Sequence, residues 1–331
     1  MDTATASNKM IPTATNAPRV PVERYAGNPV ISAADLPFAA QCCFNSGAIR
    51  VGDEIVMALN VWDAQWVPRF LIARSKDGID FEVGSKTFAE IPDEYPYAGR
   101  KDGIFDTRIT TLEGWHYITY NVSSSLGGRI RLTRTKDFED FEDMGFITGI
   151  DHRNCVIFPE KVDGSYLRLE RPNGEGKTGG DIYLSRSPDL IHWGQTELVL
   201  EKGTRYWESC KLGPGAPPVK TEAGWLCIYH ACREHMNGIM YNVGAMLLDL
   251  EDPSKVIGKL RDCLMWPTED YEMIGNVTQV VFPTAAIADV EKDELLLYYG
   301  AADTCLGRAT ISLSTLIKEC LKDGPCLPGQ S

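Results

Sequence analysis

No run of this sequence approaches the roughly 18 consecutive apolar residues that a membrane-spanning helix requires. Positive charge is scarce. The 331 residues carry 33 Lys and Arg against 46 Asp and Glu, a net charge of −13. Non-specific nucleic-acid binding, which depends on neutralising phosphates, is therefore excluded, although a local basic pocket is not. CxxC is absent, no His/Cys/Asp cluster has ligand spacing, and no Gly-rich nucleotide loop occurs. These absences predict an enzyme or binding protein without a metal centre. The first 20 residues lack the apolar segment of a secretory signal and read as a disordered polar arm. Ten cysteines are present, and several (Cys155, Cys227, Cys232) sit inside apolar strand-like runs. There a thiol behaves as a small hydrophobe, which predicts reduced cysteines in a cytoplasmic protein.

Helical periodicity is nearly absent too, except for a short terminal helix over Leu313–Leu321. What fills the chain is a repeat. Five segments begin at Phe44, Phe105, Asn154, Gly213 and Val280, each an apolar strand, a Gly/Asp/Glu-rich turn and a second strand ending on polar groups. A third strand follows each hairpin. The first three of these end alike, at Arg74-Ser75-Lys76-Asp77, Arg134-Thr135-Lys136-Asp137 and Arg186-Ser187-Pro188-Asp189, 60 and 52 residues apart. Phe81, Phe141 and Trp193 follow these corners as expected plugs between units. The period is that of a propeller blade. The predicted fold is an all-β, five-bladed β-propeller over residues 21–320, with residues 21–36 supplying an outer strand that closes the ring and 321–331 a C-terminal tail. A pair of β-sandwiches is the rival, but it needs no matching corners.

In a propeller the inner strands converge on the axis. Here they begin with Asn45, Asp106, Arg153 and Asn154, and Pro283-Thr284, and their neighbours end in Asp63, Arg168 and Arg171, His230, and Asp303. Buried charge costs several kcal/mol unless paired. Its recurrence at blade starts and ends predicts a wet, functional funnel; the bland alternative is a set of salt bridges tying blades together.

Several segments carry a resemblance: RYAGNPVI (Arg24–Ile31), FNSGA (Phe44–Ala48), DTRIT (Asp106–Thr110) and HRNCVIFPEK (His152–Lys161). So do YLRLERP (Tyr166–Pro172), WESCKLGPGAPPVKTEAGWLCIYH (Trp207–His230), LLDLEDPSKVIG (Leu247–Gly258) and YYGAAD (Tyr298–Asp303). Together they resemble glycoside hydrolase family 130 over about residues 22–318, most specifically in the Trp207–His230 and Leu247–Gly258 segments. Known members are five-bladed propellers, mostly mannoside phosphorylases. The cysteine count and the N-terminal arm are similar to the kinetoplastid members, which make β-1,2-mannan and include nucleotide-sugar-dependent mannosyltransferases.

The resemblance implies an inverting β-mannoside phosphorylase acting on β-1,2- or β-1,4-manno-oligosaccharides and releasing α-mannose 1-phosphate reversibly. It needs no cofactor; inorganic phosphate is the co-substrate and nucleophile, so only one carboxyl is required as acid. That acid is placed at Asp106, thought to act through a sugar hydroxyl; an ion pair with Arg108 is its structural alternative. Phosphate calls for forked arginine donors with a Lys or His. Arg153, Arg171, Lys211 and His230 fit by motif position, with Tyr241 as hydroxyl donor. Arg168 is a further candidate, but strand alternation puts it on the face of Glu170 and away from Arg171. Asn45, Ser46, Asp63, Arg69, Asn154 and Asp303 are the expected substrate-binding set. Tyr25, Trp62 or Trp207 could stack on the sugar. A GDP-mannose-dependent mannosyltransferase on the same scaffold is the main alternative, followed by a hydrolase and a non-catalytic sugar-binding propeller. Partners are a manno-oligosaccharide and phosphate or mannose 1-phosphate, with a homo-oligomer possible.

Overall fold

Five small antiparallel sheets carry the chain. The computed structural model describes residues 19–324 apart from 91–92, 94–102, 174–178, 204 and 237. Strand β1 (Val22–Arg24) comes first and belongs to the last blade. Blade I has a divided inner strand, β2 (Ala40–Cys43) and β3 (Gly47–Val51), then β4 (Glu54–Asp63), β5 (Pro68–Ser75) and β6 (Glu82–Val83). Blade II is β7 (Ile104–Leu112), β8 (Trp115–Val122), β9 (Arg129–Thr135) and β10 (Phe141–Phe146). Blade III is β11 (His152–Ile157), β12 (Tyr166–Pro172), β13 (Ile182–Ser187) and β14 (Gly194–Leu200). Blade IV again divides its inner strand, β15 (Lys211–Pro214) and β16 (Val219–Thr221), before β17 (Gly224–His235), β18 (Gly238–Leu248) and β19 (Val256–Lys259). Blade V is β20 (Val281–Asp289), β21 (Glu294–Ala301), β22 (Cys305–Ser312) and, outermost, β1. The five-bladed propeller is what the repeat predicts.

The apolar faces of the strands meet between blades. Five buried clusters fill the five seams: Leu59 with Tyr298, Val56 with Ile118, Leu132 with Ile157, Phe158 with Trp225, and Ile228 with Leu297 are representatives. The expected plugs sit there. The Phe81 and Tyr298 rings are 6.0 Å apart, and Phe141 stacks on Phe88 at 4.8 Å. The three repeated corners share one hydrogen-bond pattern. Ser75, Thr135 and Ser187 hydroxyls accept from the amides of Gly78, Phe138 and Leu190, each at 2.9 Å. Asp77, Asp137 and Asp189 each accept from two further amides, which holds their carboxyls below the usual range. The corners are structural devices, made by side chains that mimic a turn.

The ring closes as expected: Val22, Glu23 and Arg24 pair with Ile311, Thr310 and Ala309. Arg24 also donates to Glu272 at 2.7 and 3.0 Å, and Tyr299 donates to the same buried carboxylate at 2.9 Å. Asn28 binds Arg308 through both its amide atoms, at 2.9 Å each. The Arg24–Ile31 motif is thus a clasp. Most of the expected arm lies outside the described residues, but Val20 is buried in the seam between blades IV and V. The terminal helix α2 spans Leu313–Asp323, so it takes in the first residues assigned to the tail; 325–331 lie outside the described residues. Among the described residues no helix is long and apolar enough to cross a membrane. The nine described cysteines are unbridged.

Candidate active site

Every inner strand is interrupted at the same height. β2 and β3 are separate pieces, as are β15 and β16. The register shifts within β7 between Phe105 and Arg108, within β11 between Arg153 and Val156, and within β20 between Pro283 and Ala285. A bulge re-aims the side chains beside it, and bulges gather at active sites for that reason. Asn45, Asp106 and Asn154 take φ of +46°, +60° and +54° there, and Asp303, on the turn after β21, takes +47°. Non-glycine residues rarely hold this conformation. Here it turns four polar side chains toward the axis.

They line one pocket of about 560 Å³, including its open mouth, together with Phe44, Phe105, Arg153, Arg171, Lys211, Tyr241, Val277, Val280 and Phe282. Its walls differ in charge. Blades V, I and II supply Asp303, Asn45 and Asp106. The Asn45 Nδ2 donates to Asp106 Oδ1 at 2.8 Å and to Asp303 Oδ1 at 3.3 Å. Burial and the neighbouring Asp106 push the Asp303 carboxyl up to about 7. Blades III and IV supply the cations. Arg153 and Arg171 face each other across β11 and β12, and Lys211 follows on β15 with its Nζ 4.9 Å from the Tyr241 ring centre. Burial lowers the Arg171 guanidinium and the Lys211 amine from their ordinary values, and burial likewise raises the Tyr241 hydroxyl. Among the described ion pairs none includes Arg153, Arg171 or Lys211. Three cations against two carboxylates, one of them half-protonated near neutrality, leave this pocket positive in a chain of net charge −13.

Arg171 is held from behind. Its Nη1 meets His230 Nε2 at 3.0 Å. Oriented with its oxygen toward the guanidinium, the Asn154 amide accepts from Nη1 and Nη2 at 3.1 Å each. Burial and the adjacent Arg171 drive His230 well below its usual pKa, so the imidazole is neutral and accepts the Arg171 proton. A Cβ on Gly213 would stand 2.4 Å from His230 Cε1 and 3.2 Å from Arg171 Nη1, so only glycine permits this stack.

Eight expected site residues therefore converge: Asn45, Asp106, Arg153, Asn154, Arg171, Lys211, Tyr241 and Asp303. His230 underlies Arg171 and is fully buried, a neutral support where a cation was expected. The Ser46 hydroxyl is spent inside blade I, donating to the Phe44 carbonyl and accepting from the Asn60 amide. Asp63, at the end of β4, and Arg69, near the start of β5, pair with each other at 2.9 Å, and Asp63 also accepts from the amides of Gln65 and Val67 in the turn between them. Arg108 donates to the backbone carbonyl of Asp106 at 2.8 Å and to that of Gly215 at 2.6 Å, so the alternative ion pair with the Asp106 carboxylate is not formed. Arg168 points the other way, as alternation requires, to Glu170 at 2.7 Å and to the face of Trp193. Trp207 is a packing residue stacked on Tyr229 with its indole donating to the backbone carbonyl of Arg261. Trp62 lies beside Phe44, ring centres 5.5 Å apart, and Tyr25 lies under Arg308. Sequence reasoning missed the apolar walls. Phe44, Phe105 and Phe282 repeat one position, just before Asn45, Asp106 and Pro283, and that repetition was visible. Val277 and Val280 arrive on the segment after the short helix α1 (Asp270–Met273), where Tyr241 N binds Gln279 O at 3.0 Å; no motif marks it. Among the described residues no group of three or more His, Cys, Asp or Glu could hold a metal ion.

The family described as beta-1,4-mannooligosaccharide phosphorylase matches residues 16–322. A beta-1,4-mannooligosaccharide phosphorylase of Ruminococcus albus is 32% identical over 307 residues, 89% of each chain. The solved beta-1,2-mannobiose phosphorylase of Listeria innocua, in complex with beta-1,2-mannobiose, superposes with a TM-score of 0.80 at 28% identity, covering 90% of this chain and 99% of that one. A mannose phosphorylase of Leishmania mexicana shares the fold alone, with a TM-score of 0.63 at 12% identity over 82% of this chain and 84% of that one. The likeness in sequence is to bacterial enzymes, and that to the Leishmania protein is one of fold. The chain belongs to glycoside hydrolase family 130.

Proposed function

We propose that the chain is an inverting β-mannoside phosphorylase in which the acidic wall holds the sugar and the cationic wall holds phosphate. Reversible phosphorolysis of β-mannosidic bonds is the activity of this family branch. One observation carries the assignment of roles: a single pocket has carboxylates on blades V, I and II, and on blades III and IV cations for which no carboxylate partner is found among the described residues. A hydrolase has no use for desolvated cations there, whereas a phosphate dianion needs them. Asp106 is the proton donor to the leaving oxygen. Arg153, Arg171 and Lys211, with Asn154 and Tyr241, receive phosphate, whose oxygen attacks the anomeric carbon from the face opposite the leaving group. The C–O bond to the acceptor breaks with its electron pair, the acceptor oxygen takes the proton, and α-mannose 1-phosphate forms. Asn45 and Asp303 face the sugar hydroxyls. The nine cysteines among the described residues are unbridged, which fits the reducing compartment of a cytoplasmic enzyme.

The experiment is incubation of β-1,2- and β-1,4-mannobiose with and without inorganic phosphate. Phosphate-dependent release of α-mannose 1-phosphate is expected. Mannose release at equal rate without phosphate refutes the reading in favour of hydrolysis. Transfer from GDP-mannose but not from α-mannose 1-phosphate refutes it in favour of a nucleotide-sugar enzyme.

A further inference from the structure

Gly300 is the odd member of a five-fold set. In each blade the second strand has one residue beside the start of the bulged inner strand. Asn121 pairs with Phe105, Arg171 with Arg153, His230 with Gly213, and Gly300 with Phe282; Asn60 accepts from the amide of Phe44. Four of the five carry polar side chains. The fifth carries none.

The empty position is filled from the next blade. A Cβ on Gly300 would stand 1.9 Å from Asn45 Oδ1 and 2.9 Å from Asn45 N. Asn45 thus lies across the seam between blades V and I, its amide oxygen against the glycine. That oxygen is buried and accepts no hydrogen bond. The orientation leaves Nδ2 facing the pocket. An amide nitrogen has two hydrogens, and both are used: one on Asp106 of blade II, one on Asp303 of blade V. Turning the amide over would set its oxygen against two carboxylates.

We propose that Gly300 is a positioning residue: its missing side chain seats the Asn45 amide so that one NH₂ group bridges the carboxyls of Asp106 and Asp303. The inference rests on Asp106 as the proton donor and explains how its carboxyl is aimed. Glycine is needed for space alone, since an alanine must push the amide by more than an ångström, and Asn45 is too short to bend away. Displacement of the amide withdraws a donor from both carboxylates. A donor of this kind favours the ionised form, and its loss raises carboxyl pKa.

The test is a cycle of Gly300→Ala, Asn45→Ala and the double variant, assayed for phosphorolysis across pH. Gly300→Ala is expected to lower kcat by roughly 10²-fold, the scale of an ångström misplacement. The KM for phosphate should stay within about threefold, because the cations lie on other blades. The carboxyl-controlled limb of the kcat profile should move to higher pH. Asn45→Ala removes the amide oxygen that the new methyl strikes at 1.9 Å and leaves only the backbone nitrogen at 2.9 Å, so the double variant should fall close to Asn45→Ala in kcat and regain most of any melting temperature lost in Gly300→Ala. Kcat effects that multiply in the double variant overturn the proposal, as does a Gly300→Ala enzyme within about twofold of wild type. Should Gly300→Ala fail to fold, the double variant decides: recovery of folding with the kcat of Asn45→Ala supports the contact, and no recovery overturns it. An active Asp106→Asn enzyme beside an impaired Gly300→Ala one would instead overturn the assignment of the acid.

Discussion

Arg171→Met separates binding from bracing. The side chain is buried, and its guanidinium meets two neutral partners, His230 Nε2 at 3.0 Å and the Asn154 oxygen at 3.1 Å. No carboxylate pairs with it among the described ion pairs. Two terms oppose each other on replacement. Leaving the Asn154 and His230 acceptors unpaired costs about 1–3 kcal/mol each. Removing a desolvated, unpaired cation returns several kcal/mol, and methionine fills the aliphatic volume. The phosphate-free variant should therefore lie within about 2 kcal/mol of wild type. Phosphate is another matter. Loss of a charge-assisted contact worth about 1.5–3 kcal/mol should raise the KM for phosphate by about 10- to 150-fold and leave that for the mannoside within about threefold. Thermal unfolding supplies the second assay. Phosphate at a hundred times its Kd should stabilise the wild type by about 2.7 kcal/mol, and the variant should lose most of that response at the same concentration. A variant destabilised by about 4 kcal/mol or more that still answers to phosphate like wild type would make Arg171 a brace and refute the reasoning.

Asp106→Asn should stay folded, since Asn is nearly isosteric, and should lose about 10²–10⁴ in kcat in both directions; more than a tenth of wild-type turnover would disqualify Asp106 as the acid. Lys211 is lowered by burial and by Arg171, so its charge is lost as pH rises toward a pKa below the usual lysine value. The KM for phosphate should climb on that alkaline limb, and Lys211→Arg should move the climb to higher pH; a limb unmoved in Lys211→Arg assigns it elsewhere. Asp303 is raised to about 7 from 3.8, so the folded chain holds a proton there that the unfolded chain has released. Its contribution to stability is full below about pH 4 and is lost as pH rises through about 7; Asp303→Asn should flatten that part of the melting-temperature profile, and an unchanged slope counts against the raised pKa. Arg24→Ala strips the cation from the fully buried Glu272, leaving it only neutral donors such as Tyr299, and should cost about 3–5 kcal/mol with both KM values unchanged, measured by urea unfolding.

Much of this was legible because it repeats. The corners at Asp77, Asp137 and Asp189 need the same three side-chain bonds in each blade, so the same residues recur, and their spacing gives the blade. Alternation along β12 separated Arg168 from Arg171 before any geometry was known. Nothing comparable separated Asn45 from Ser46, both of which were expected to bind substrate. Ser46 and Asn45 are neighbours, and only the break between Cys43 and Gly47 decides that Asn45 faces the axis while Ser46 turns back to the Asn60 amide. His230 is an equally clear case. A histidine in a phosphate motif reads as a cation, but its charge depends on depth, and full burial beside Arg171 removes it.

Glycines were the least legible, because their role is to leave room and the occupant comes from far along the chain. Gly213 admits the Arg171–His230 stack within blades III and IV, and Gly300 admits Asn45 from the first blade, 255 residues earlier in sequence. Both occupy the inner-strand or second-strand position where other blades carry Phe, Arg or Asn. The pseudo-symmetry of the propeller therefore supplies the reading that local motifs lack. Five copies of one backbone position converge on the axis, and the chemistry is set by which copies hold carboxylates, which hold cations, and which are left empty so that a neighbour can be aimed.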